Sequence, residues 1–193
     1  MSTVVPMFPL PGVFLFPGQV MPLHVFEPRY RQMVDDLLDG PGRLVVGTLL
    51  EGESETEDHV PAVLPVAGLG EIARHNRLED GRYLILLYGI GRVRLTETDS
   101  DRLYRRVEVE PVDEAAAPDL EADRLRPPLI DAIHDRTGVE VESLEDVATG
   151  QLADVLAQCL RIPQERMEQI FVDPDAVNRA ERVLAAHAEF PSA

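Results

Sequence analysis

Residues 6–38, PMFPLPGVFLFPGQVMPLHVFEPRYRQMVDDLL, decide the fold of this chain. They hold six of its sixteen prolines, four of its six phenylalanines and three of its five methionines. Each proline fixes its own φ angle, removes a backbone donor and biases the preceding residue toward extended backbone. The spacing therefore predicts short strands broken by turns over residues 6–26, with apolar anchors between the turns.

A helix is predicted directly after these strands, over residues 28–39. Pro28 suits the first position of a helix, and Gly40-Pro41-Gly42 suits its end. Apolar residues recur at helical spacing and line one face: Tyr30, Met33, Val34, Leu37 and Leu38. Polar residues occupy the opposite face: Arg29, Arg31, Gln32, Asp35 and Asp36.

The composition limits the class of protein. A chain of 193 residues with 45% hydrophobic content can form one substantial domain or two small ones. Neither a membrane span nor a secretory signal is recognisable, so a cytoplasmic location is expected. The single Cys159 cannot form an internal disulfide, and the five histidines lack a recognised ligand spacing, so we expect no metal and no cofactor.

The charges exclude several functions. A net charge of −17 opposes binding to phosphate backbones, so nucleic acid is not an expected partner. The chain contains no lysine, so all 18 of its Lys and Arg residues are arginines. This excludes a phosphate-loop lysine, a Ser-Lys dyad and Schiff-base chemistry.

Further along the chain, strand patterns give way to helical ones. Strands are predicted at residues 43–50, at 82–95 as one long strand or two, and at 105–112, with a bend or bulge at Gly89 and Gly91. An acidic loop is predicted at residues 51–59 and an acidic linker at 113–123. The interpretation is a β-rich region over residues 1–112 and a helical region over 124–193.

Three helix starts are predicted in the second region. Ser143 with Asp146 has the spacing of a capping box, and Pro163 suits a first position. Asp173 is predicted to cap the last helix, with Pro174 in its first turn.

The same segments resemble the amino-terminal, substrate-binding domain of Lon proteases. The family pattern Pro-Leu-Phe-Pro-Leu, Leu-Phe-Pro-Gly and Pro-Leu-x-Ile-Phe-Glu-x-Arg-Tyr is similar to PMFPL at residues 6–10, LFPG at 15–18 and PLHVFEPRY at 22–30. Residues 70–74 and 89–92 resemble later family features, and 163–182 resembles the segment leading into its closing helix.

The resemblance implies an α+β fold, with a PUA-like β-barrel, one packed helix and a small helical bundle. It also implies recognition of unfolded or exposed hydrophobic polypeptide segments, without a cofactor and in protein quality control. Lon proteases continue into an ATPase and a peptidase, and the sequence ends at Ala193 without either. We therefore expect a stand-alone, non-enzymatic module, with a separate protease or ATPase as a further expected partner.

Two sets of residues in the first segment are candidates for specific roles. An adaptable apolar surface for polypeptide would come from the soft side chains Phe14, Phe16, Met21, Phe26 and Met33, although the same residues, with Phe8, suit the barrel core. A structural motif, with an ion pair at the start of the helix, is predicted for Pro22, Glu27, Arg29 and Tyr30. His24 alternates with apolar residues and is predicted to face solvent.

Two other functions remain open at this point. One is a small-molecule binder or hydrolase that uses a pocket between the barrel and the bundle. The other is a purely structural partner in a complex, which a large exposed apolar patch would favour.

Overall fold

The computed structural model describes residues 3–52, 61–115 and 119–191. Contacts divide the chain into two compact units, a barrel unit over Met1–Val112 and a helical unit over Asp113–Ala193. Most of the acidic loop predicted at residues 51–59 lies outside the described residues. In the part that is described, no helix has the length and apolar character needed to span a membrane.

The described residues of the barrel unit form six strands and one helix. The strands are β1 (Thr3–Pro11), β2 (Val20–Val25), β3 (Arg43–Leu49), β4 (Val66–Arg77), β5 (Tyr83–Thr98) and β6 (Arg106–Pro111). The helix α1 (Pro28–Leu38) lies between β2 and β3 in the chain and has Asp39 as its C-cap residue, so it is one residue shorter than the predicted range. The predicted strand at residues 82–95 is thus one continuous strand of 16 residues.

Strand β5 closes the barrel because it pairs with three neighbours. The sheet order is β2-β5-β4-β3-β1-β6, and a further pairing of β5 with β6 completes the ring. Only the first part of β5 pairs with β2, which leaves β2 as an edge strand of the described sheet. The register between β4 and β5 shifts at Gly89 and Gly91, which confirms a bulge at the Gly-Ile-Gly sequence.

The glycines of β4 and β5 make room for the segment that precedes β2. A Cβ atom at Gly68 would collide with the carbonyl oxygen of Leu15, and one at Gly89 would collide with that of Phe16. The chain therefore crosses the sheet in close contact with the backbone of both strands. Phe14, Leu15 and Phe16 are buried in this crossing.

Helix α1 packs against the barrel through the apolar face predicted for it. Tyr30, Met33, Val34 and Leu37 are buried. They belong to one core cluster with the inward residues of β5, Tyr83, Ile85 and Leu87. A second core cluster is formed by residues of five barrel strands, β1, β3, β4, β5 and β6: Val5, Met7, Val45, Ala67, Val93, Val107 and Val109.

The helical unit contains four α-helices among its described residues. They are α2 (Asp119–Thr137), α3 (Thr149–Gln158), α4 (Gln164–Phe171) and α5 (Ala176–Glu189). Helices α2, α3 and α5 pack on one another, and α4 contacts α3 and α5. The predicted α+β architecture, a barrel with one packed helix followed by a helical bundle, is confirmed.

Some predicted helix boundaries are wrong. Asp175, not Asp173, caps α5, because its carboxylate accepts hydrogen bonds from the backbone N–H groups of Val177 and Asn178. Ser143 lies in a 3-10 turn, where its hydroxyl donates to the Glu140 carbonyl instead of forming a capping box. Pro163 immediately precedes α4, as its N-cap residue.

The acidic stretch at residues 113–123 differs from a free linker where it is described. Glu114 bonds the Arg179 guanidinium, and the Ala115 N–H donates to the Pro174 carbonyl. Helix α2 already begins at Asp119. The helical unit therefore includes residues on both sides of the undescribed residues 116–118.

Candidate functional site

An exposed apolar face lies on the outside of β2 and β5. Along β5, buried Tyr83, Ile85 and Leu87 alternate with outward Leu84, Leu86 and Tyr88, and the exposed fractions are 46% for Leu84 and 44% for Tyr88. Successive side chains of a strand point to opposite faces of the sheet. We call the outward set the outer face, formed by Leu84, Leu86 and Tyr88 with their partners on β2, His24, Pro22 and Val20.

A groove of about 530 Å³ runs over this face. Its lining comes from three strands: Pro22, Leu23 and His24 of β2, Arg74, His75 and Asn76 of β4, and Leu84, Ile85 and Leu86 of β5. We call these nine residues the outer groove. The lining is mostly hydrocarbon, with its polar groups supplied mainly by β4 and His24.

The strand register arranges the groove in two rows. One row crosses the sheet as Arg74, Leu86 and Pro22, and the next as Asn76, Leu84 and His24. Leucine side chains therefore form the centre, with polar side chains on the flanking strands. Directly opposite residues of paired strands lie about 5 Å apart, so each row is compact enough for one ligand side chain to contact several members.

Phe26 extends the apolar surface beyond the end of β2. Its side chain is 58% exposed, and its ring centroid lies 5.8 Å from that of His24. An exposed phenylalanine of this size is a natural contact for apolar ligands. It is the one member of the predicted set that lies open on the surface.

The other members of that set lie in the interior. Phe14, Phe16 and Met33 are buried, as is Phe8, and Met21 is partly buried against the α1 cluster. Their prediction as a binding surface is wrong for Phe14, Phe16 and Met33, because the crossing segment and α1 bury them on folding. Burying a side chain of this size stabilises the fold by about 1.5–3 kcal/mol, which would be lost on exposure.

The residues predicted as a structural motif hold the start of α1. Arg29 Nη2 donates to Glu27 Oε2 at 2.7 Å, and the Arg29 guanidinium lies 4.7 Å from the Tyr30 ring centroid. Tyr30 packs on Phe8, with the ring centroids 4.3 Å apart. Glu27 makes no side-chain cap, and its carbonyl accepts from the N–H groups of Tyr30 and Arg31. Pro22 lies instead in the outer groove.

Two buried tyrosines that donate hydrogen bonds to α1 have pKa values above their usual range. Burial and hydrogen bonding to Asp35 raise the pKa of Tyr83, and burial and hydrogen bonding to Asp36 raise the pKa of Tyr104 to about 12. Both hydroxyls therefore remain protonated donors at neutral pH. Their role is to hold α1 on the barrel.

Sequence reasoning missed the leucines and the tyrosine of the outer face. The signal was available in YLILLY at residues 83–88, which is apolar on both faces of a strand. Such a run is typical of a strand covered on both sides, and the sequence alone does not tell which face stays open. In this structure α1 covers one face only, so the second face is the exposed one.

No cation site accompanies the groove. Across residues 3–52, 61–115 and 119–191, no group of three or more His, Cys, Asp or Glu side chains could hold a metal ion. The groove lining itself offers neither a carboxylate nor a hydroxyl or thiol nucleophile. The lining offers apolar contact surface, with the Arg74 guanidinium, two imidazoles and the Asn76 amide beside it.

Solved structures of Lon N-terminal domains have a similar fold. The N-terminal domain of the Lon protease of the Mycobacterium avium complex superposes with a TM-score of 0.74 at 19% identity, covering 97% of this chain and 99% of that one. A Lon N-terminal domain protein from Xanthomonas campestris gives a TM-score of 0.69 at 24% identity, covering 95% and 98%. Both likenesses concern the fold.

Comparisons of sequence give the family. Lon protease 2 of Sorangium cellulosum is 30% identical over 164 residues, which is 79% of this chain and 20% of that protein. The chain spans about a fifth of the length of the curated relatives that it matches. A family model described as the ATP-dependent protease La (LON) substrate-binding domain matches residues 4–186. Because that match covers nearly the whole chain, the protein belongs to the Lon substrate-binding domain family.

Proposed function

We propose that this protein recognises exposed apolar segments of unfolded polypeptides through the outer groove and Phe26. The observation that carries the proposal is an open groove on the outside of the barrel whose central leucines, Leu84 and Leu86, belong to neither core cluster. Contiguous exposed apolar surface is uncommon on soluble domains and marks contact with other molecules. The family supports polypeptide as the class of ligand.

The edge strand beside the groove favours contact through side chains. An exposed edge can accept a peptide as an additional strand through its backbone groups. Pro22, in the middle of β2, has no N–H to donate and interrupts that row of groups. We therefore place the ligand on the outer face, against Leu84, Leu86 and Pro22.

We further propose that the protein binds polypeptides and has no enzymatic activity of its own. In this proposal the protein binds without ATP and without cleaving its ligand, and it serves protein quality control in the cytoplasm beside a separate protease or ATPase. The lack of nucleophiles and carboxylates in the groove lining supports binding over hydrolysis. Purified protein is expected to leave both ATP and casein intact.

The test is a matched pair of leucine substitutions. Leu84 lies in the centre of the groove, whereas Leu103 is 65% exposed in the turn before β6 and outside the groove. Covering the half-exposed Leu84 with a ligand contributes about 1 kcal/mol, which is roughly fivefold in Kd. Leu84→Ser should weaken binding of a fluorescent, unfolded model polypeptide by about that factor, and Leu103→Ser should not.

The measurement is fluorescence anisotropy, with urea unfolding of each variant to verify that both remain folded. Equal affinities of Leu84→Ser and Leu103→Ser would reject the outer groove as the binding site. Failure of the unmodified protein to bind at micromolar concentration would reject polypeptide recognition.

A further inference from the structure

The outer groove is cationic although the protein is strongly acidic. The chain carries a net charge of −17, yet the polar members of the groove lining are Arg74, His24, His75 and Asn76, and no carboxylate is among them. An acidic protein repels acidic ligands over most of its surface. A groove without carboxylates is therefore the place where a negative ligand group meets least repulsion.

Arg74 is available to such a ligand. Its exposed neighbours on the barrel are engaged: Arg43 Nε lies 3.0 Å from Glu71, Arg77 Nη1 3.7 Å from Asp35, and Arg82 Nε 2.7 Å from Asp80. The Arg74 guanidinium forms neither an ion pair nor a hydrogen bond with any residue in the described ranges. Its guanidinium has five N–H donors and pairs well with a carboxylate.

The register puts this charge beside the apolar centre of the groove. Arg74 is directly opposite Leu86, and Leu86 is directly opposite Pro22. A polypeptide whose apolar side chain contacts Leu84 or Leu86 would therefore place side chains one or two positions away next to the Arg74 guanidinium. In an extended peptide these neighbours are about 3–7 Å along the chain.

We infer that the outer groove selects apolar segments with an Asp or Glu side chain within two residues of the apolar anchor, and that Arg74 receives the carboxylate. This inference rests on the proposed function and adds the charge of the preferred ligand. The apolar contact supplies most of the affinity. The carboxylate determines which apolar segments are preferred, because complementary charge contributes more to specificity than to affinity.

The test uses three fluorescein-labelled peptides that share one Leu/Phe core and differ only in the flanking residue, which is Glu, Gln or Lys. A partly exposed ion pair predicts that the Glu peptide binds about threefold to fivefold tighter than the Gln peptide, with the Lys peptide weakest. The preference should shrink as salt is added.

Two charge reversals locate the effect. Arg74→Glu should abolish or invert the preference for the Glu peptide while leaving the affinity for the Gln peptide within about twofold. Arg94→Glu changes the net charge by the same amount at an exposed residue of β5 outside the groove, and it should preserve the preference. The Gln peptide also verifies that both variants retain a working groove.

The outcomes separate the two proposals. Equal binding of Glu and Gln peptides to the unmodified protein, or a preference that survives Arg74→Glu, would overturn the inference and leave polypeptide binding intact. An equal effect of Arg74→Glu and Arg94→Glu would overturn it as well, since the general charge of the protein would then be the cause. Absence of binding by all three peptides would overturn the proposed function.

Discussion

Arg179 is a charged side chain in the interior of the helical unit, with an exposed fraction of 1%. Its Nη1 donates to the Asp173 carbonyl at 3.0 Å, its Nη2 bonds the Glu114 carboxylate, and its Nε lies 3.3 Å from Asp154 Oδ1. That last N–H is not aligned for a hydrogen bond, and it has no other acceptor in the described structure. The residue thus ties the chain before α2 to α3 and α5.

Removing this arginine should destabilise the protein strongly. Breaking a buried ion pair by removing one partner costs about 3–5 kcal/mol, so Arg179→Met should lower the free energy of unfolding by about 3 kcal/mol. Arg182→Met is the matched control, because Arg182 is half-exposed with Asp173 at 3.3 Å and should cost under about 1 kcal/mol. Urea unfolding measures both.

The double variant Arg179→Met with Asp154→Leu tests the cause. Apolar replacement of both partners of a buried pair is often neutral, so the double variant should regain much of the lost stability. If the double variant were less stable than Arg179→Met, the loss would stem from packing and not from charge.

At this scale, the sequence could not decide which phenylalanines are exposed. Alternation tells which strand residues share a face, but it does not tell which face is covered. Phe14 and Phe16 also lie between β1 and β2, in the crossing over Gly68 and Gly89, where strand alternation does not apply. Phe26, one residue after β2, belongs to the same phenylalanine-rich and proline-rich segment, but its side chain is exposed whereas those of Phe14 and Phe16 are buried.

At the scale of elements, α1 was largely predictable and its attachment was not. Proline at its start, glycines after its end and a regular apolar stripe predicted its range and its buried face. Asp35 and Asp36 belong to the face predicted to be polar, yet each accepts a hydrogen bond from a buried tyrosine, Tyr83 and Tyr104. Those partners are 48 and 68 residues away in sequence, beyond what local spacing can reveal.

The attachment through Tyr104 predicts a loss of stability in alkali. Its pKa is about 12 in the fold, against 10 in the unfolded chain, so its contribution is complete below pH 10 and is lost as pH rises toward 12. Tyr104→Phe should cost about 1–2 kcal/mol at neutral pH, and that difference should narrow across this window. Urea unfolding at several pH values measures it.

The absence of lysine makes this measurement easier to interpret. Between neutral pH and the pKa of arginine, the only types of side chain that titrate in this sequence are tyrosine and the single Cys159. Tyr88→Phe is the control, since Tyr88 is half-exposed on the outer face, and its substitution should cost little stability at neutral pH. A Tyr104→Phe difference that stays constant from neutral pH to pH 12 would contradict the assignment.

At the scale of the whole molecule, the family and the order of elements followed from sequence, and the site did not. The proline-punctuated motifs of residues 6–30 were enough to indicate the family that the match over residues 4–186 confirms. The groove depends on which face of β5 is left open by α1, and on three strands brought into register. Neither property is local, which is why the predicted site lay partly in the core.

The division of the chain into two units predicts that recognition belongs to the barrel alone. All nine residues of the outer groove lie within residues 1–112, and both barrel clusters are formed there. A domain of this size buries roughly 65% of its unfolded surface, which suffices for independent folding. A protein of residues 1–112 should therefore fold and bind the Glu-flanked peptide within about twofold of the full chain.

Circular dichroism and a cooperative urea transition would establish folding of the barrel fragment, and anisotropy would give its affinity. Residues 113–193 are the control and should not bind the peptide, because they contribute no residue to the groove. A folded barrel fragment that bound more than tenfold more weakly than the full chain would mean that the helical unit contributes to the ligand site. The recognition surface would then have to be sought across both units.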